Sequence, residues 1–161
     1  MSLTVDMQNA TNLPTPSQQH FESWVSAALS TANTEDKSTE LSIRIVEPKE
    51  SAELNLRYRN KDNATNVLSF PTEFAPGFDL PQLGDLIICA DLVNQEALQQ
   101  NKTSTAHWAH LTVHGVLHLL GYDHIELVQA QQMEALEIKT LKALGFANPY
   151  QYQDANGHYY E

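Results

Sequence analysis

The stretch His114-Gly115-Val116-Leu117-His118-Leu119-Leu120-Gly121-Tyr122-Asp123-His124 decides how the chain is read. Its histidines follow the pattern His-x3-His-x5-His. Two histidines four apart share one face of a helix. Gly121 ends that helix and lets the chain turn back, bringing His124 to the same point. Three imidazoles on one point, with a fourth position open, form the ligand set of a catalytic zinc site. His114, His118 and His124 are therefore the expected metal ligands.

Upstream, the helical pattern starts near Thr103 and runs to Leu120. Leu111, Val113, Val116, Leu117 and Leu120 interleave there with His107, His110, His114 and His118. His110 precedes His114 by four and could stand in for His124. Geometry argues against it, since His110 and His118 lie about 12 Å apart along a helix axis. Zinc–nitrogen bonds of about 2.0–2.1 Å to both would require severe splaying. His110 is expected beside the ligands or in the cleft, and His107 as a partly exposed helix residue. Asp123 has two compatible roles open to it: N-cap of the last helix, or acceptor fixing a ligand's tautomer.

The spacing His-x3-His-x2-Gly-x2-His matches the zinc-binding stretch of metzincin proteases. In those enzymes a glutamate follows the first histidine and acts as general base. Here that position is Gly115. The ligand pattern is kept while the protease base is missing. Either a different group serves as base, or the substrate needs different help.

Around this stretch the chain alternates strand and helix signals. Leu3, Val5 and Met7 alternate with polar residues and predict a strand. Thr15-Pro16 predicts a helix start, with Gln18 completing a capping box. Phe21, Trp24, Val25, Ala28 and Leu29 form its apolar stripe. Thr31 to Thr39 reads as loop, and Leu41 to Ile45 as a second strand. After Pro48 a short helix runs to about Tyr58, because Leu54 and Tyr58 are four apart. Val67 to Phe70 predicts a strand stopped by Pro71, followed by a loop from Thr72 to Leu83. Asp85 to Ala90 predicts a central strand buried on both faces. Helices follow at about Asp91–Gln100 and Ile125–Leu144, the last with Leu127, Ala130, Met133, Leu141 and Leu144 on its apolar face. Gly145 is its stop, and the tail from Ala147 to Glu161 is expected to be irregular. About four strands and five helices make an α+β fold, with a mixed sheet and the metal site at the end of a central helix.

The 161 residues fit one domain, with a motif-bearing core at about 41–146. No run of about 18 apolar residues occurs, so no membrane span is expected. The amino terminus lacks a basic segment followed by an apolar run, which predicts a cytoplasmic location. The single cysteine, Cys89, excludes an internal disulfide and a cysteine-built zinc cage. Net charge is -11, against the basic total usual for nucleic-acid-binding domains. Yet of nine Lys and Arg residues, Arg57, Arg59 and Lys61 fall together. They precede a strand that opens into a long loop, where clefts form in mixed sheets. An arginine beside zinc suits a phosphodiester, whose transition state gathers charge on its non-bridging oxygens.

Several stretches together resemble the YbeY family of small bacterial metal-dependent endoribonucleases. They are Leu54-Asn55-x-x-Tyr58-Arg59, Thr65-Asn66-Val67-Leu68-Ser69-Phe70-Pro71 and Leu83-Gly84-Asp85-Leu86, with His110-Leu111 and His114 to His124, glycine at 115 included. Met133 and Glu137 continue the pattern, and the likeness covers about residues 41–146. It implies a single-strand-specific endoribonuclease acting in ribosomal RNA maturation and ribosome quality control. It also implies His114, His118 and His124 as zinc ligands and Arg59 as a basic residue needed for activity. The expected catalytic residues are thus Arg59 and His114, with one zinc per chain, although imidazole also suits nickel and copper. Expected partners are ribosomal RNA, with a ribosomal protein or assembly factor supplying affinity. Two alternatives stand beside this: an assembly or RNA-binding factor with a mainly structural zinc, and an atypical metal-dependent hydrolase.

Overall fold

This computed structural model describes residues 2–34, 38–72, 81–153 and 159–160. Strand β1 (Leu3–Asn9) leads through helix α1 (Gln18–Thr31) to β2 (Thr39–Val46). Helix α2 (Pro48–Arg59) and strands β3 (Val67–Pro71) and β4 (Gln82–Cys89) follow. Helices α3 (Ala90–Gln99), α4 (Ser104–Leu119) and α5 (Leu127–Ala143) complete the core. The main sheet has the order β1-β2-β4-β3, with β1, β2 and β4 parallel and β3 antiparallel to β4. The described residues thus form the expected α+β fold, a four-stranded mixed sheet with five helices. Most of the Thr72–Leu83 loop lies outside the described residues, and β4 already begins at Gln82. In the tail, Tyr152–Gln153 (β5) pairs with Tyr159–Tyr160 (β6), so that segment is not wholly irregular.

Alternation along the strands sorts residues between two faces. On β2, Leu41, Ile43 and Ile45 are buried, while Ser42 and Arg44 are half-buried on the opposite face. They join Leu86 and Ile88 of β4, Phe21 and Val25 of α1, and Trp108 and Val116 of α4 in one core. Each such side chain contributes about 1.5–3 kcal/mol by leaving water.

The other face corrects the expectation for β4. Asp85 and Ile87 are only partly covered, because the helix on that side, α2, is too polar to seal it. The buried residues of α2 are Ser51 and Asn55. Tyr58, part of the spacing that predicts this helix, is 58% exposed. What α2 offers the sheet is polar: Glu50 takes a bidentate contact from Arg44, at 2.6 and 2.8 Å. Ser42 donates to Asp85 beside it.

Two helix starts also differ from expectation. The N-cap of α1 is Ser17, whose side chain accepts from His20 N at 3.1 Å while His20 Nδ1 accepts from Ser17 N. Gln18 is the first residue of the helix and donates its amide to the carbonyl of Val5, at 2.6 Å, so the box is made by Ser17 and His20 in place of Thr15 and Gln18. At α5 the N-cap is Glu126, not Asp123, and the preceding Ile125 is 82% exposed. Leu127 is 74% exposed and takes no part in the apolar face, which is carried by Met133 and Leu141.

Helix α4 lies hard against β3 and β4 at Gly115. A Cβ there would stand 2.8 Å from Leu86 Cδ2 and 3.4 Å from Ser69 Oγ. The Ser69 hydroxyl donates to the Gly115 carbonyl at 3.3 Å across this contact. Overpacking a filled core costs about 1–3 kcal/mol, and replacing glycine by alanine in a helix returns about 1 kcal/mol. Gly115→Ala is therefore expected to lower stability by up to about 2 kcal/mol. Leu86→Val, which removes the clashing methyl, should recover part of that loss. Urea denaturation of the four proteins of this cycle measures the coupling, and strictly additive penalties would refute the close seat.

Candidate metal centre and cleft

Helix α4 begins at Thr103, whose Oγ1 accepts from Ala106 N at 3.1 Å, and carries four histidines along neighbouring rows. The rings of His114 and His118 have centroids 4.6 Å apart, and their Nε2 atoms are 3.1 Å apart. Gly121, with φ of 101°, ends the helix. Its N–H donates to the His118 carbonyl at 3.0 Å, and that of Tyr122 donates to Leu117 at 3.1 Å. This paired bonding is the Schellman turn, which needs a residue tolerant of positive φ. The reversed chain places the His124 ring 4.9 Å from His118 and 5.6 Å from His114.

One nitrogen from each of the three rings lies within 4.8 Å of the others, a group that could hold a metal ion. Tetrahedral ligands with zinc–nitrogen bonds of about 2.0–2.1 Å sit roughly 3.3 Å apart. The 3.1 Å spacing of the first pair meets that geometry. Burial, then the neighbouring His114 and His124, push His118 down to about 4, which keeps it neutral and able to donate a lone pair.

His114 is fixed from behind. Its Nδ1 lies 2.7 Å from Oε1 of Glu137, so Nδ1–H donates and Nε2 is left free toward the cluster. The same oxygen accepts from His110 Nε2 at 3.1 Å, and Glu137 Oε2 accepts from the Tyr150 hydroxyl at 2.5 Å. Glu137 is 0% exposed. Burial pushes its carboxyl up, but the hydrogen bonds from His110 and His114 outweigh this and hold it at about 2. His110 is pushed down, first by burial, which keeps it neutral behind the cluster.

The carboxylate that accepts from an imidazole of this group is therefore Glu137 rather than Asp123. Asp123 takes the backbone N–H of His124 at 2.7 Å, while its carboxylate stays 3.9 Å from His124 Nδ1. Sequence reasoning noticed Glu137 only as part of a family pattern. A physical signal was there: Glu137 lies four residues from Met133 and from Leu141, on the buried stripe of α5. His107 also departs from expectation. It is 2% exposed and bonds Glu96 at 2.8 Å, and the same carboxylate accepts from Asn66 at 3.1 Å.

Arg59, at the last turn of α2, lines the same cleft. The cleft encloses about 690 Å³ and is lined by Arg59, Lys61 and Ser69 together with His114, His118, Asp123 and His124. Arg59 Nη2 donates to the Ser69 carbonyl at 2.6 Å, and its guanidinium lies over the Phe70 ring at 5.6 Å. Arg57 instead stacks on Tyr58, at 5.7 Å. The loop carrying Lys61 is tied to α2 by side chains: Ser51 bonds Thr65 at 2.9 and 3.0 Å, and Asn55 bonds the Asn63 carbonyl at 2.8 Å.

Residues 5–145 match the family described as Endoribonuclease YbeY. The chain belongs to that family. Among solved structures it is similar to the solution structure of TM1509 from Thermotoga maritima, at 24% identity with a TM-score of 0.59. That match covers 86% of this chain and 87% of the other, and it shows the shared fold. YbeY membership makes the chain one of a family of endoribonucleases. None of the helices in the described residues is long and apolar enough to cross a membrane.

The Glu137 contact can be checked directly. Long-range proton–nitrogen spectra of metal-free protein are expected to show the His114 proton on Nδ1. Glu137→Ala should move that proton toward an equilibrium between both nitrogens. A wild-type His114 protonated on Nε2 would contradict the arrangement.

Proposed function

We propose that this chain is a metal-dependent endoribonuclease that cuts single-stranded ribosomal RNA during maturation and quality control of the ribosome. In this reading His114, His118 and His124 hold one zinc ion, or another transition metal suited to imidazole. The observation that carries it is the meeting of the three histidines and Arg59 in the lining of one cleft. A bound metal would supply Lewis acidity at the phosphate.

The chain's own groups do the rest. An arginine has five N–H donors, of which the Ser69 carbonyl takes one from Nη2. The other donors are left to bind non-bridging phosphate oxygens and to stabilise their growing charge. Contacts to Ser69 and Phe70 hold the guanidinium in place before substrate arrives. Lys61 adds a second cation to the lining. Asp123 is the one carboxylate among the described lining residues, and Gly115 supplies none. Water and the ribose 2′-hydroxyl are the two nucleophiles open to this chemistry.

The total charge of -11 repels a polyanion beyond the cleft. Binding to naked RNA is therefore weak and sensitive to salt, and a ribosomal protein or assembly factor would supply the missing affinity. The cytoplasm, where ribosomes mature, is the setting this proposal requires.

The test compares wild type, His114→Ala and Arg59→Ala on a single-stranded ribosomal RNA fragment, with contaminating ribonuclease removed. Both variants are expected to lose about 100- to 1,000-fold in kcat/KM. Arg59→Lys should remain well below wild type, because a point charge does not reproduce the guanidinium fork. Equal cleavage by all of them would sink the enzyme proposal. Chelation is expected to abolish cleavage while far-UV circular dichroism stays near native, since the core forms without the histidine cluster. Global unfolding on chelation would favour a structural metal instead.

A further inference from the structure

The family match ends at residue 145, and the C-terminal segment beyond it carries no recognised motif. That segment nevertheless returns to the histidine cluster. At the end of α5, Gly145 N–H donates to the Lys142 carbonyl at 3.0 Å and Phe146 N–H to Leu141 at 2.8 Å, which reverses the chain. Phe146 packs against the core, and Pro149 is buried. The Asn148 side chain then accepts from Tyr150 N at 2.9 Å, closing a local turn. These contacts deliver the Tyr150 hydroxyl to Glu137 Oε2, at 2.5 Å. The Tyr150 ring meets His110 edge to face, with centroids 5.4 Å apart and planes at 82°.

We propose that Tyr150 is a positioning residue for the metal centre, acting through Glu137 on His114. The inference rests on the assignment of His114 as a ligand. A carboxylate is planar, so pinning Oε2 fixes the direction of Oε1. Oε1 is the atom that takes both His114 Nδ1, at 2.7 Å, and His110 Nε2, at 3.1 Å. The described residues give Oε2 the Tyr150 hydroxyl as its hydrogen-bond donor. Removing that donor leaves one oxygen of a fully buried carboxylate unpaired, and the group turns to seek another partner. The His114 ring then loses its fixed orientation, although no ligand has been touched. Partners of this kind shift metal affinity by about 10- to 100-fold when removed.

The test uses the full chain and measures the Zn2+ dissociation constant by competition with a chromophoric chelator. Tyr150→Phe deletes only the hydroxyl, and is expected to weaken Zn2+ binding about 10-fold. Glu137→Gln should weaken it by at least as much. In the double variant Tyr150→Phe should add nothing further, because its effect passes through Glu137. A Tyr150→Phe constant equal to wild type overturns the proposal, as do penalties that multiply independently. A merely structural tyrosine would lower the Tm of metal-free protein while leaving Zn2+ affinity unchanged, which also overturns it. His114→Ala separates this from the parent assignment: if its Zn2+ affinity matches wild type, the three-histidine site itself fails. Wild-type binding lost in His114→Ala but untouched in Tyr150→Phe removes only the role of Tyr150.

Discussion

The whole arrangement depends on how closely helix α4 can approach the sheet, and that is limited at Gly115. With no Cβ there, the helix settles onto Leu86 and Ser69, and a serine hydroxyl bonds its backbone directly. From that seat its histidine row runs along the helix into the cleft, and its last turn ends where His124 can return. The glycine that removes a protease base is thus also required by packing. A side chain at that position would have to share space with a fully buried leucine. The chemistry excluded at residue 115 and the approach of helix to sheet have the same cause.

On either side of α4 stands a carboxylate that accepts from its imidazoles. Glu96 of α3 takes His107 and Asn66, and Glu137 of α5 takes His114 and His110. Trp108 adds a bond from its indole N–H to Asn94, at 3.1 Å. Burying a carboxylate is costly unless its lone pairs are met. Both acids have at least two donors, so the helix is fixed in rotation as well as in place. Apolar packing alone tolerates sliding, and these directional bonds do not.

Much of the site was legible in the sequence because it is built from local rules. Histidines four apart on a helix, a glycine in the reversing turn and a third histidine beyond it are all short-range statements. They were enough to group His114, His118 and His124, which the fold brings together. Arg59 was legible only through the family likeness and its place before β3, since an arginine at a helix end carries no message of its own. Glu137 and Tyr150 were not legible as partners, because their meeting with His114 depends on how α5 and the tail pack. The polar interior of α2 was missed for a related reason. Ser51 and Asn55 look like surface residues until the loop they bind is seen. The cap of α1 falls at Ser17, whose hydroxyl accepts from His20 N, and a histidine in the third helical position is not a usual box partner.

The two walls of the cleft are held by different forces. The histidine wall is carried by α4, whose apolar residues sit in the core, and His114 is locked there by a buried charge-assisted bond to Glu137. The arginine wall rests on α2, whose buried residues are Ser51 and Asn55. Segments with little buried apolar area open at far lower free energy than the core they border. The cleft is therefore mechanically lopsided, with one stiff jaw and one compliant jaw. Substrates of differing shape would be accommodated by yielding of the arginine side, while the spacing of His114 and His118 on α4 stays constant.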